Sequence, residues 1–124
     1  MTLEPCPNSP NCVSTQAPAG DTVHYVEPIA YAGPREALRD YLVEWIDSQP
    51  RARVTSNSPD TITAEFRSRI FRFVDDVVIV LPVETSIMHL RSASRVGYGD
   101  IGVNRQRYER IRDAVNEWQL ERDE

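Results

Sequence analysis

The sequence predicts an α+β domain: a mostly antiparallel sheet of about five strands with two helices packed on one face, in the order β-α-β-β-β-β-α. Three observations predict it. Leu38, Tyr41, Leu42, Trp45 and Ile46 recur at i, i+3, i+4, i+7 and i+8, one apolar stripe at helical period. Tyr108, Ile111, Val115 and Trp118 form a second stripe near the C-terminus, spaced 3, 4, 3. Between the two lie runs that alternate at period two, separated by short turn sequences. A length of 124 residues fits one domain. The organisation read from it is an irregular arm over 1–22, a domain over 23–120 and a solvated tail over 121–124.

The arm is rich in Pro, Asn, Ser and Thr and has neither period. The stretch 24–31 (HYVEPIAY) alternates loosely and is the first strand, confined to an edge or a bulge by Pro28. Gly33-Pro34 starts the first helix, with Pro34 at the first helical position and Glu36 in the first turn, near the positive end of the helix dipole. Pro50 ends it by pushing Gln49 out of the α region. A short strand over 51–56 and a turn at 57–60 lead into 61–73. There Ile62, Ala64 and Phe66 share a face until the rhythm resets near Ser68–Arg69, which implies a bulge or break. Val74-Asp75-Asp76 reads as a turn. The run 77–83 (VVIVLPV) is the inner strand, with Pro82 at its end. In 86–94, Ile87, His89, Arg91 and Ala93 face one way and Ser86, Met88, Leu90, Ser92 and Ser94 the other. The second helix is expected over about 104–120, capped by Asn104 or Asp100.

Net charge is −5, which argues against a nucleic-acid binder, whose affinity rests mainly on neutralised phosphates. The layout is uneven. Residues 63–112 carry nine arginines against six acids, whereas the rest carries five against thirteen. There is no lysine, so every cation is a planar, bidentate donor. No run reaches the roughly 18–20 apolar residues of a membrane span. The first residues have no basic start and no apolar core, so they are not a signal peptide. The chain as given therefore reads as cytoplasmic, or as exported or membrane-associated if a targeting segment precedes it.

The stretch 86–112 is where these arginines meet glycines. Gly97, Gly99 and Gly102 allow a tight turn whose N–H groups converge, and a helix starts directly after it. A Gly-rich turn entering a helix N-terminus suits an anion. The candidate anion site is Arg67, Arg91, Arg95, Gly97, Tyr98, Gly99, Asp100, Gly102, Asn104 and Arg105, for a small anionic ligand or an acidic peptide. The competing reading pairs these arginines internally, with Glu65, Asp75, Asp76 or Asp100, and makes the protein structural. The two differ in whether Arg91, Arg95 and Arg105 converge unpaired or stand apart. A third reading is a hydrolase-like enzyme using His89 with Asp75 or Asp76. The glycines match neither a P-loop, for want of GK[ST], nor a dinucleotide fingerprint, for want of a βαβ unit. No cofactor is implied. Cys6 and Cys12 lie in a turn-rich CPNSPNC segment and suit either a small disulfide or two thiols, according to compartment. A metal held by them with His24 would lack a fourth ligand, so no metal is expected.

Three segments, CPNSPNCVS, EFRSRIFRFVDD and HLRSASRVGYGDIGVNRQRYERI, resemble the family called domain of unknown function 1499 over nearly the whole chain. The resemblance extends to Cys6, Cys12, Phe66, Arg67, Ser68, Phe71, Asp75, Asp76, Arg91, Ser92, Ser94, Arg95, Gly97, Asp100, Gly102, Asn104 and Arg105. It carries no catalytic role. It implies that Cys6 and Cys12 pair as a disulfide, and that relatives include exported, membrane-attached and plastid-lumen proteins.

Overall fold

Strict alternation in two neighbouring segments builds the centre of the sheet. In a computed structural model, which describes residues 1–69, 73–96 and 102–123, the elements are β1 (Cys12–Ser14), β2 (Ile29–Ala30), α1 (Arg35–Ser48), β3 (Ala52–Asn57), β4 (Thr61–Arg67), β5 (Val74–Val80), β6 (Ile87–Ser94) and α2 (Val103–Arg122). The sheet runs β1-β6-β5-β4-β3, all antiparallel, and β2 also pairs with β6. Ile62, Ala64 and Phe66 of β4, Val77 and Ile79 of β5, and Met88 and Leu90 of β6 are buried on one face. Leu38, Leu42 and Ile46 of α1 and Tyr108, Ile111, Val115 and Trp118 of α2 close over that face in a single apolar cluster. The predicted α+β class and the two-helix layer are therefore present, as is the division of β6 into two faces.

Five expectations change. The segment 1–22 is not irregular throughout: β1 lies in it and pairs with β6, Cys12 opposite Ala93 and Ser14 opposite Arg91. The first strand shrinks to Ile29–Ala30. β1 and β2 lie end to end along one edge of β6, and the chain between them leaves the sheet. Asp75 and Asp76 belong to β5 rather than to a turn, because opposite them β4 continues to Arg67. Helix α2 begins at Val103 after Gly102, which takes a left-handed φ of 78° that other residues reach only at a cost. Asn104 is therefore inside the helix and does not cap it. Likewise Pro34 precedes α1 by one residue. Gly33, at φ 119°, lies against Trp118 and Arg122, each 3.2 Å from where a Cβ would stand.

The outer strand β3 is protected by the helix before it. The Val54 N–H donates to Asp47 Oδ1 at 2.9 Å and the Ala52 N–H to the Gln49 carbonyl at 3.3 Å. A register shift between Val54 and Ser56 further disrupts the edge. Such devices discourage pairing with another chain. Asp47→Ala should cost about 1 kcal/mol of stability and make sedimentation concentration-dependent. Unchanged monomer behaviour and stability would contradict this role.

Candidate anion-binding face

The two faces of β5 and β6 send the motif residues to different places. On the helix side, Asp75 and Ser92 point at α2. Arg107 Nη1 donates to Asp75 Oδ2 at 2.8 Å, to Asn104 Oδ1 at 3.0 Å and to Ser92 Oγ at 3.3 Å. The Ser92 hydroxyl donates to Asn104 Oδ1 at 2.6 Å, and Asn104 Nδ2 donates to Ser94 Oγ and to the Asn11 carbonyl. The Arg107 guanidinium also lies 4.7 Å from the centre of the Phe66 ring. Asn104 and Ser92 have no exposed surface. This network ties β5, β6, α2 and the N-terminal segment together. It takes Asn104 out of the predicted anion site, because all its polar atoms are engaged inside the protein.

The opposite face of the sheet is not covered by helices. Alternation places Arg53 on it from β3, Glu65 and Arg67 from β4, Asp76 from β5, and His89 and Arg91 from β6; Arg95, just past β6, reaches the same acids. Arg95 spans two of them, with Nε 2.7 Å from Asp76 Oδ2, and Nη2 2.9 Å from Asp76 Oδ1 and 2.7 Å from Glu65 Oε2. The Arg95 bond holds the Glu65 carboxyl below the usual carboxylate range, assisted by Arg53. Arg53 and Arg67 approach Glu65 at 3.4 and 3.6 Å. Among the described residues, this face thus sets four guanidiniums, Arg53, Arg67, Arg91 and Arg95, against two carboxylates, Glu65 and Asp76.

Arg91 is the cation left over. It faces Val78 on one side and Ser14 on the other, both without charge. Its Nη2 donates to the Pro5 carbonyl at 3.4 Å, and its Nε is enclosed without an acceptor. The segment carrying Pro5 is tied to the sheet by the disulfide Cys6–Cys12, as the family resemblance implied. Bonding between the two sulfurs removes both thiols as metal ligands or nucleophiles.

Arg105 does not join this group. It projects from α2 and donates to the carbonyls of Val23 and Tyr25 at 3.1 and 3.3 Å, anchoring the excursion between β1 and β2. Arg91, Arg95 and Arg105 therefore do not converge, which removes the three-arginine anion site expected from the sequence; of the three, Arg91 alone meets neither a carboxylate nor a pair of carbonyls among the described residues. Gly102 stands at the start of α2; Gly97, Tyr98, Gly99 and Asp100 lie outside the described residues. His89 does not meet either aspartate. Asp75 is on the helix face, and Asp76 lies four residues along β5 from Val80, the partner of His89, or about 13 Å at strand rise. Its Nδ1 is 2.9 Å from Thr15 Oγ1, which already accepts the Leu90 N–H at 3.0 Å. Burial pushes the His89 pKa down and favours the neutral ring, to which the threonine hydroxyl can donate.

Sequence reasoning weighed His24 only as a metal ligand and missed its part in a clamp. Its Nε2 lies 2.7 Å from the Ser9 carbonyl and its Nδ1 2.7 Å from Asp21 Oδ2. Both partners accept, so both ring nitrogens donate and the ring is an imidazolium. It clamps the disulfide loop to the excursion. The Asp21 bond, then the Ser9 bond, raises the His24 pKa above 6.5, and the His24 bond lowers that of Asp21 below 3.8. The clamp is therefore complete between these two unfolded values. It weakens as pH rises through the raised histidine pKa, or falls through the lowered aspartate pKa. The thermal-stability advantage of the parent over His24→Asn should be greatest near about pH 5 and shrink by about pH 9. A pH-independent difference would rule the clamp out. No sequence pattern marks His24, because its partners are 3 and 15 residues away in irregular chain.

The family model described as "Protein of unknown function (DUF1499)" matches residues 2–115. A search of curated proteins finds no match. The match spans nearly the whole chain, and the protein belongs to this family.

Proposed function

We propose that this member of the family is a non-enzymatic binding module. It takes an anionic ligand, a small molecule or an acidic peptide, at Arg91 on the sheet face that the helices leave open, with Arg67 and Arg95 at the border. The observation that carries this reading is the guanidinium of Arg91. It is half-buried beside uncharged neighbours, and its Nε–H is enclosed without an acceptor. Leaving a buried donor unmade costs about 1–3 kcal/mol. An incoming carboxylate, phosphate or sulfate recovers that cost through charge-assisted bonds. Among the described residues, the acids on the same face, Glu65 and Asp76, are already engaged by Arg95. The disulfide supports an oxidising compartment as the place of action. Among the described residues no helix is long and apolar enough to cross a membrane.

A second reading, a structural protein with internally paired arginines, is favoured by Arg95 and Arg107, whose charges are met by Asp76, Glu65 and Asp75. A thermal-shift series with phosphate, sulfate, nucleotides and oligoglutamate separates the two. Under the binding reading, one of these at a hundredfold excess over its Kd raises Tm by about 8 °C, and Arg91→Gln abolishes the rise. No shift with any of them leaves the structural reading.

A further inference from the structure

We infer that the N-terminal segment is a strap which occupies Arg91 in place of a ligand carboxylate, and that the Cys6–Cys12 disulfide is the latch holding it there. The inference rests on the binding reading only for the identity of what replaces the strap. Its basis is adjacency. The one acceptor that Arg91 finds among the described residues is the carbonyl of Pro5, and the next residue is Cys6. Cys12 is fixed in β1 opposite Ala93, with no exposed surface. The disulfide thus pins the Pro5 carbonyl beside β6 through a single covalent link. Ahead of it the strap has non-covalent contacts of its own. The Leu3 side chain is buried, the Leu3 N–H donates to Gln16 Oε1 at 2.7 Å, and Gln16 Nε2 donates to the Met1 carbonyl at 2.9 Å. The bond to Arg91 is itself long, at 3.4 Å. A carbonyl at that distance is a poor substitute for a carboxylate, which binds a guanidinium through shorter, bidentate contacts.

The two sulfurs differ in access. Cys6 is partly exposed and lines a cleft of about 320 Å³ with Leu3, Pro5, Ser14, Gln16 and His24, whereas Cys12 is sealed. A dithiol reductant therefore attacks Cys6 Sγ. The S–S bond breaks, Cys12 leaves as a thiolate and takes a proton, and Cys6 is held in a mixed disulfide. The second thiolate of the reductant then attacks its own mixed-disulfide sulfur and releases Cys6, which is protonated. Two electrons pass to the protein, and the reductant becomes a disulfide. His24 still fastens Ser9 through its imidazolium, so the loop stays anchored beyond the cysteine while residues 1–6 are freed. The network around Asn104 reaches the loop at the Asn11 carbonyl, beside Cys12, and so holds the end that β1 already fixes rather than residues 1–6.

The test uses the whole chain, oxidised and after reduction by dithiothreitol, with hydrogen exchange at the Leu3 amide and titration with hexaglutamate. Exchange at this amide should quicken about tenfold or more on reduction, while amides of β5 and β6 keep their protection. Hexaglutamate should bind the reduced form about tenfold more tightly, and Arg91→Gln should remove that gain. Cys6→Ser with Cys12→Ser should reproduce the reduced form without reductant. Unchanged exchange at Leu3 overturns the latch, as does Arg91-dependent binding of equal strength in both redox states. If exchange quickens but hexaglutamate binds neither form, or binds Arg91→Gln equally well, the latch stands and the anion-binding reading falls.

Discussion

Arg107→Ala is expected to destabilise the protein by about 3–5 kcal/mol, because it strands a buried carboxylate. Asp75 is 8% exposed, and Arg107 is the cation bonded to it, at 2.8 Å. The same guanidinium also serves Asn104 and Ser92 and covers the Phe66 ring, so truncation removes packing as well as charge. Chemical denaturation should show the loss as a lower midpoint at unchanged slope. Replacing both partners by apolar residues, Asp75→Leu with Arg107→Met, should recover much of the loss, since no orphaned charge remains. If Arg107→Ala costs under about 1 kcal/mol, the pair is solvated and this account of the network is wrong.

Asn104→Leu should cost about 2–4 kcal/mol, through the bonds it leaves unmade at Ser92, Ser94, Arg107 and the Asn11 carbonyl. Because Asn104 and Arg107 share partners, their losses should not add. A double-mutant cycle should return a coupling of about 0.5–3 kcal/mol. The variant also separates structure from binding. Asn104 has no exposed surface, so at a temperature where the variant remains folded, its affinity for any anion bound at Arg91 should match the parent. A selective loss of affinity without loss of stability would return Asn104 to the ligand site.

These two residues show where sequence reasoning stopped. Asn104 and Arg107 stand in an arginine-rich block just after the glycines, and there the pattern of residue types suits an anion equally well. Whether Asn104 meets a ligand or Ser92 depends on which face of β6 packs against α2, a long-range matter. His24 illustrates the same limit, since its Ser9 partner is met only when two irregular segments come together. β1 was invisible for a related reason. A three-residue strand among prolines has too few positions to show alternation, and it exists only because β6 offers it an edge.

By itself the sequence determined the two helices, the strand alternation and the α+β class, because each is written in local periodicity that an apolar layer must bury. It also determined which residues of β6 share a face, since side chains alternate regardless of what lies opposite. Only the tertiary structure decided that Arg95 is neutralised while Arg91 is not, that Arg105 holds a loop, and that the N-terminal segment lies across the sheet. Those outcomes turn on which charges meet across strands and along edges, and contacts between distant parts of a chain leave no period to read.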